Sequence, residues 1–191
     1  MRIFGIDPGS ERTGYGCVES DGRAIRLVMC GAISAPPGDA FPQRLARIHQ
    51  ELSALLIRCA PDYVAIEDLF YSVNVRSALK LGHARGVAML AAVEAGCPVA
   101  EYTPTEIKHA VVGYGRADKH QVQRMIQLLL ALDQLPSPHD AADALAVAIC
   151  HLHSVPRYSG AAAEAAAYGE RSSAQGPQLK TWRHYRPPTS G

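Results

Sequence analysis

The sequence has neither a long apolar segment nor an excess of charge. No apolar run reaches the roughly 18 residues that a membrane span requires, and the start, MRIFGIDPGS, has no apolar stretch behind basic residues as an export signal would. We therefore expect a cytoplasmic protein with no membrane partner. The formal net charge of +1 gives by itself no indication of a nucleic-acid partner.

Cysteine pairs are absent as well. The five cysteines are scattered, odd in number and never in a C-x-x-C arrangement; they are Cys17, Cys30, Cys59, Cys97 and Cys150. This pattern argues against a disulfide framework and against a zinc site, and it suits a reducing compartment.

The small net charge hides an uneven distribution. From Tyr71 to Arg124 there are seven Lys and Arg against four Asp and Glu, with three His in addition. A basic region in the middle of the chain is compatible with an acidic partner such as nucleic acid.

The length of 191 residues suits one domain of about 150 residues with an appendage. After Arg157, Gly, Ala, Ser, Pro and Gln dominate, as in GAAAEAAAYGERSSAQGPQ. We expect a folded domain over residues 1–156 and a disordered tail over 157–191. The end of the tail, KTWRHYRPP, mixes cations with aromatic rings, which is either a solvated segment or a weak nucleic-acid contact.

Apolar patterning predicts ten elements. Short strands are predicted over residues 3–6, 14–19, 24–33, 63–66 and 98–102, and helices over 43–59, 74–95, 104–113, 118–132 and 138–153. Thr103, Pro104 and Glu106 form a helix-start pattern, and Ser137, Pro138 and Asp140 repeat it. The order β-β-β-α-β-α-β-α-α-α predicts an α/β fold with a mixed five-stranded sheet flanked by helices on both faces.

Two predicted strands each end in a carboxylate. Asp7 closes the apolar run IFGID just before Pro-Gly, and Glu67 closes YVAIE. A buried carboxylate needs compensation. Asp7 is therefore either a turn or capping residue, as Asp-Pro-Gly commonly is, or a metal ligand at a strand end.

Two further acids stand three residues apart in HDAADALAVAI. This spacing puts Asp140 and Asp143 on one face of a helix, near its N-terminus, where they repel each other unless a cation lies between them. Asp140 alone could instead be the acidic partner of Ser137 in a helix cap. Four carboxylates around one point would make an oxygen-rich site for Mg²⁺ or Mn²⁺.

Five segments together closely resemble the RuvC family of Holliday-junction resolvases: IDPGSERTGYG, IEDLF, SALKLGHARGVAMLAA, VVGYGRADKHQVQ and DAADALAVAICH. The resemblance runs from Met1 to about His153. It implies a ribonuclease-H-like fold, a homodimer, a link to the RuvA–RuvB branch-migration complex, and Mg²⁺-dependent cutting of two opposed strands of a four-way DNA junction. It places the catalytic, metal-binding acids at Asp7, Glu67, Asp140 and Asp143.

The implied chemistry uses two Mg²⁺ per active site, with Mn²⁺ as the alternative ion. Two such ions can activate a water, align it with the scissile P–O bond and stabilise the departing 3′ oxygen, leaving a 5′ phosphate. Asp7, between the strand-borne and helix-borne acids, is assigned the position between the two ions.

Four basic residues are candidates for DNA binding. Lys108 and Lys119 match the family's basic positions near the active site and would hold backbone phosphates. Arg76 and Lys80 lie at the start of the long helix, near where DNA would enter. Each of the four could instead be an ordinary solvated side chain.

Phe70 follows Glu67 by three residues in the polar stretch EDLFYSVN. The family supports an exposed ring that stacks on an unpaired base at the junction crossover. A core aromatic is the alternative, and Tyr71 is a second candidate for the stacking role.

Two other functions fit parts of the sequence. Sugar-kinase and actin-like ATPases also begin with a strand, an acid and a Gly-rich turn, but they need two such domains and have no use for the Asp140 and Asp143 pair. A non-catalytic junction-binding module would be expected to have lost at least one acid, and all four remain.

Overall fold

The computed structural model describes residues 1–34, 36, 38–68 and 74–155. The strands are β1 (Arg2–Asp7), β2 (Arg12–Ser20), β3 (Ile25–Ser34), β4 (Tyr63–Glu67) and β5 (Val99–Tyr102), and the helices are α1 (Phe41–Cys59), α2 (Val75–Glu94), α3 (Pro104–Val112), α4 (Lys119–Leu129) and α5 (His139–Ser154). The predicted tail over 157–191 and the predicted recognition residue Phe70 lie outside the described residues.

The five strands form one mixed sheet in the order β3-β2-β1-β4-β5. β1 pairs antiparallel with β2 and parallel with β4, and β5 adds parallel to β4. Helices α3, α4 and α5 pack on one face of the sheet, and α1 and α2 on the other. The predicted α/β class, with a five-stranded mixed sheet and helices on both faces, is confirmed.

β1 is buried on both faces, which explains its continuous apolar sequence. Ile3 packs into the core under α5, whereas Phe4 and Ile6 pack into the core under α1 and α2. Side chains alternate along a strand. Asp7 therefore shares the α5 face with Ile3 and Gly5.

Glycines on the sheet let α5 approach very closely. A Cβ added at Gly5 would stand 2.0 Å from the backbone oxygen of Ala144, and one at Gly14 would stand 2.0 Å from the backbone oxygen of Asp140. Neither distance is sterically allowed. The small residues of β1 and β2 thus bring the first turns of α5 down onto the sheet edge where Asp7 lies.

Most predicted helix ends agree with the structure, with two corrections. The capping box of Thr103 and Glu106 is present at the start of α3. Helix α4 ends at Leu129, not near residue 132, and Ala131 has a φ of 49° that interrupts the helix. Ser137 does not cap α5: the residue at the cap is Pro138, and it provides no side-chain hydrogen bond.

None of the helices in the described ranges is long and apolar enough to cross a membrane.

Candidate active site

Asp7 and Glu67 lie side by side at the same edge of the sheet. β1 and β4 run parallel with Ile6 opposite Ile66, so the next residue of each strand carries its carboxylate to the same end. Glu67 follows Ala65 by two residues, and Ala65 packs under α5. Both acids therefore point towards α5, and their carboxyl groups share a hydrogen bond.

The pKa of Asp7 is raised to about 8. Burial is the main cause, followed by the negative charges of Glu67, Asp143 and Asp140. The pKa of Glu67 is also raised by burial, but the hydrogen bond from Asp7 and the charges of Lys119 and Lys108 oppose that increase. Burial and the neighbouring carboxylates thus favour the protonated form of Asp7 over its charged form.

Asp140 and Asp143 lie in the first turns of α5, on the side that faces the strand ends. Asp140 is not a helix cap, since the cap position belongs to Pro138. A guanidinium nitrogen of Arg12 lies 3.4 Å from Asp140 Oδ2, and Lys119 Nζ donates to Asp143 Oδ2 at 3.1 Å. Each helix acid thus has a cation of its own.

The two lysines lie on the β4 side of the acids. Lys119 is the first residue of α4, and the pKa of its ammonium group is raised chiefly by Asp143. Lys108 lies within α3, and its charge lowers the pKa of Glu67. The structure thus places Lys119 in contact with Asp143 and Lys108 near enough to Glu67 to act on its charge.

The donor set fits a hard divalent cation, because it consists of carboxylate oxygens only, held together although burial and mutual repulsion both raise the pKa of Asp7. As the side chains are oriented, no three His, Cys, Asp or Glu residues within the described ranges form a closed metal site. A cation bound here would have to take Asp143 from Lys119 and Asp140 from Arg12. The ammonium group of Lys119 and the guanidinium group of Arg12 therefore neutralise the two carboxylates that a metal ion would bind.

Other predicted residues are not part of this cluster. Arg76 and Lys80 lie exposed in the first turns of α2, and Lys80 Nζ lies 5.8 Å from the centre of the Phe41 ring. Within the described part of the chain neither has a recorded contact with the four acids. His139, next to Asp140, contacts the side-chain amide of Gln123 on α4. It serves the packing of α4 against α5.

Sequence reasoning missed two arginines. Arg12 contacts Asp140 and was not distinguished from the rest of the turn. Arg85 on α2 pairs with Asp68 at 3.0 Å and also with Glu101 of β5. It thereby holds the residue that directly follows Glu67. Neither contact has a local sequence signal, because each joins segments distant in the chain.

Comparison with known proteins agrees with the geometry. The family model described as crossover junction endodeoxyribonuclease RuvC matches residues 3–151. A protein of that name from Koribacter versatilis is 56% identical over 154 residues, covering 80% of this chain and 93% of its own. One from Trichlorobacter lovleyi is 49% identical over 187 residues, 98% of this chain and all of its own. The latter alignment extends past residue 157, beyond the limit that sequence motifs suggested.

Solved structures are similar too. Thermus thermophilus RuvC in complex with a Holliday junction substrate has a TM-score of 0.77 at 37% identity, covering 80% of this chain and 93% of that one. The yeast mitochondrial Holliday junction resolvase Ydc2, 13% identical with a TM-score of 0.55, shares the fold. Membership of the family implies a nuclease that depends on a divalent metal ion. The chain belongs to the RuvC family of crossover junction endodeoxyribonucleases.

Proposed function

We propose that this protein is a structure-selective endonuclease that resolves four-way DNA junctions in recombination and repair by paired nicks in opposed strands. The observation that carries the proposal is the meeting of four carboxylates at one sheet edge, where Glu67, Asp143 and Asp140 all act on the charge of Asp7. A relative 37% identical in sequence has a solved structure in complex with a Holliday junction substrate, which supports the same substrate here.

Asp7, Glu67, Asp140 and Asp143 are the proposed ligands of two Mg²⁺ ions, with Mn²⁺ as the alternative. When bound, such ions supply an activated water and stabilise the oxygen that leaves phosphorus. The contribution of the chain is to fix the acids on rigid elements: two on adjacent parallel strands and two on a helix seated against glycines. The charges of the other three acids all raise the pKa of Asp7, and Asp7 is therefore the proposed ligand shared by both ions.

Lys119 and Lys108 are the proposed phosphate contacts on the β4 side of the acids. Lys119 is largely exposed, with 79% of its side-chain surface accessible, so it can exchange Asp143 for a DNA phosphate once a cation binds that acid. Phosphate contacts of this kind position the strand without reading its sequence. Arg76 and Lys80, exposed on α2, are proposed as outlying contacts to DNA entering the site.

Phe70 is proposed to stack on a base opened at the junction crossover. Asp68, two residues before it, is fixed by a backbone hydrogen bond to Tyr102 at 2.7 Å and by Arg85 at 3.0 Å. The segment that carries Phe70 therefore begins at a fixed point next to Glu67.

The homodimer is proposed to form through one face of α2. Four apolar side chains there are exposed, namely Val75, Leu79, Leu90 and Val93, at 74, 60, 50 and 65%. Gly82 and Gly86 continue the same stripe, and a Cβ at either would have no atom within 4 Å. A stripe with residues at intervals of three and four suits a second helix, and the two glycines leave room for close approach.

The dimer is tested by Leu79→Glu, with sedimentation velocity at several concentrations. Leu128 on α4 is similarly exposed, at 63%, and Leu128→Glu is the matched control. We expect Leu79→Glu to be monomeric and to lose paired cutting, while Leu128→Glu behaves like the unchanged protein. Dimers of equal strength in both variants would place the interface elsewhere.

The function is tested by incubating the purified protein with a synthetic four-way junction and Mg²⁺ and mapping the cuts on each strand. We expect symmetric cuts in two opposed strands, no cutting of linear duplex of the same sequence, and no ATP hydrolysis. Junction binding without cutting would favour a non-catalytic module, and ATP hydrolysis without DNA would favour the kinase-like class. Coupled action with a RuvA–RuvB complex in the cytoplasm is part of the proposal.

A further inference from the structure

Arg12 lies on the opposite side of the four acids from the two lysines. It begins β2, whereas Lys108 and Lys119 act on Glu67 at the end of β4. β2 and β4 are the two neighbours of β1 in the sheet. The cations of the site thus flank Asp7 on both sides, and the cation on the β2 side has no role in the function proposed above.

The backbone of Arg12 is held rigidly. The neighbouring Thr13 is fully buried, and its hydroxyl donates to the carbonyl oxygen of Gly9 at 2.9 Å and accepts from the Gly9 N–H at 3.4 Å. A Cβ at Gly9 would stand 2.0 Å from the carbonyl oxygen of Arg12, so the turn is closed tightly. The side chain of Arg12 is by contrast 53% accessible. An accessible guanidinium on a fixed backbone can reach more than one nearby partner.

A groove of about 360 Å³ lies beside the acids, lined by Glu11, Arg12, Ser34 and Asp140. Its charged groups are one guanidinium and two carboxylates, so it is a poor anion site while Asp140 pairs with Arg12. A divalent cation on Asp140 changes this balance, because it takes over the carboxylate and leaves the guanidinium without that partner. A phosphodiester is then the natural ligand of the guanidinium.

We propose that Arg12 is a phosphate-binding residue for the DNA strand on the β2 side of the active site, and that Asp140 holds it until a divalent cation binds. The inference rests on the proposed nuclease function and adds a phosphate contact across the acids from Lys119 and Lys108. A strand that passes the carboxylates is then held by a cation on each side of the cut. Arg12 is a positioning residue for the DNA rather than a metal ligand.

The test is the salt dependence of junction binding, which counts phosphate contacts. Each contact contributes about 0.9 to the slope of log K against log salt concentration for duplex DNA. We measure binding of a fluorescent four-way junction by anisotropy at several KCl concentrations, once with saturating Ca²⁺ and once with EDTA. The variants are Arg12→Gln, Arg12→Lys and, as the control, Arg23→Gln. Arg23 is exposed in the turn after Ser20, at the far end of β2 from Arg12.

With Ca²⁺ we expect Arg12→Gln to have a shallower slope than the unchanged protein, by about 0.9 for each lost contact. Arg12→Lys should keep the slope, and Arg23→Gln should match the unchanged protein. With EDTA the unchanged protein and the three variants should have the same slope, because the Asp140 carboxylate then pairs with Arg12. Coincident slopes with Ca²⁺, or an equal difference with and without Ca²⁺, would overturn the proposal.

Cleavage by the unchanged protein with Mg²⁺ is assayed on the same preparation. Normal cleavage together with an unaffected Arg12→Gln slope would refute the role of Arg12 and leave the nuclease function standing. Absence of junction cleavage by the unchanged protein would refute both. Melting temperatures should agree among the variants, since the side chain of Arg12 is exposed.

Discussion

The substitution Asp7→Asn tests two roles of this carboxyl group, in cleavage and in the stability of the folded protein. The carboxyl of Asp7 is surrounded by three other acids, and its pKa is raised from 3.8 to about 8. Asparagine keeps the shape and an N–H donor for Glu67 but has no charge to offer a cation. We expect the variant to bind the junction, because its phosphate contacts remain, and to lose cleavage.

The same change should alter how stability depends on pH. Between pH 3.8 and about 8 the folded protein keeps the proton on Asp7, whereas the unfolded chain has lost it. Stability from this group is therefore full below the lower value and falls as pH rises, by about 1.4 kcal/mol per pH unit. From pH 6 to pH 8 the unchanged protein should therefore lose on the order of 2 kcal/mol of stability that the variant keeps, or about 5 to 10 °C in melting temperature.

The assay is thermal unfolding in EDTA at pH 6, 7 and 8, comparing Asp7→Asn with the unchanged protein and with Asp133→Asn. Asp133 is exposed outside the site, so its variant should follow the unchanged protein. Added Mg²⁺ at pH 8 should raise the melting temperature of the unchanged protein more than that of Asp7→Asn, because ligand binding to the folded state stabilises it. Parallel curves for the unchanged protein and Asp7→Asn would show that burial and the neighbouring charges do not raise the pKa of Asp7.

Four other outcomes are expected. Gly14→Ala should melt at a lower temperature and lose about 100-fold in cleavage rate, since its Cβ would stand 2.0 Å from the Asp140 backbone oxygen and would displace α5; near-normal cleavage would show that this close approach is not needed. Ca²⁺ in place of Mg²⁺ should support junction binding with little cutting, because its coordination shell is larger and looser; efficient cutting with Ca²⁺ would argue against a tight two-metal geometry. Phe70→Ala should slow cleavage of a matched junction by an amount that corresponds to about 1 to 3 kcal/mol and recover on a junction with a mismatch at the cut site, with little change in melting temperature, whereas a core Phe would cost about 3 to 5 kcal/mol. Truncation after Arg157 should leave melting temperature and cleavage largely unchanged, and a large fall in melting temperature would move the domain boundary.

The four acids could be found from the sequence because each lies at a local signal. Asp7 and Glu67 end apolar strands, and Asp140 and Asp143 share a helix face, so strand and helix periodicity predicts that the first two lie at a sheet edge and that the other two project from one side of a helix. The resemblance to a family then joined the two halves of the site. The cap predicted at Ser137 was wrong. Helix α5 begins one residue later than the serine-to-acid spacing indicates, so the cap position belongs to Pro138.

What the tertiary structure decided is the pairing of charges between distant segments. Arg12 meets Asp140, Lys119 meets Asp143, and Arg85 meets Asp68 and Glu101. None of these pairs has a fixed spacing in the chain, because the contacts depend on how closely α5 and α2 approach the sheet. The closeness of α5 depends on Gly5 and Gly14, whose role is visible only when the helix lies against them. The sequence thus determined, through local periodicity, that the four acids proposed for the chemistry stand at strand ends and on one helix face, and the packing of helices on the sheet determined which cation lies beside each helix acid.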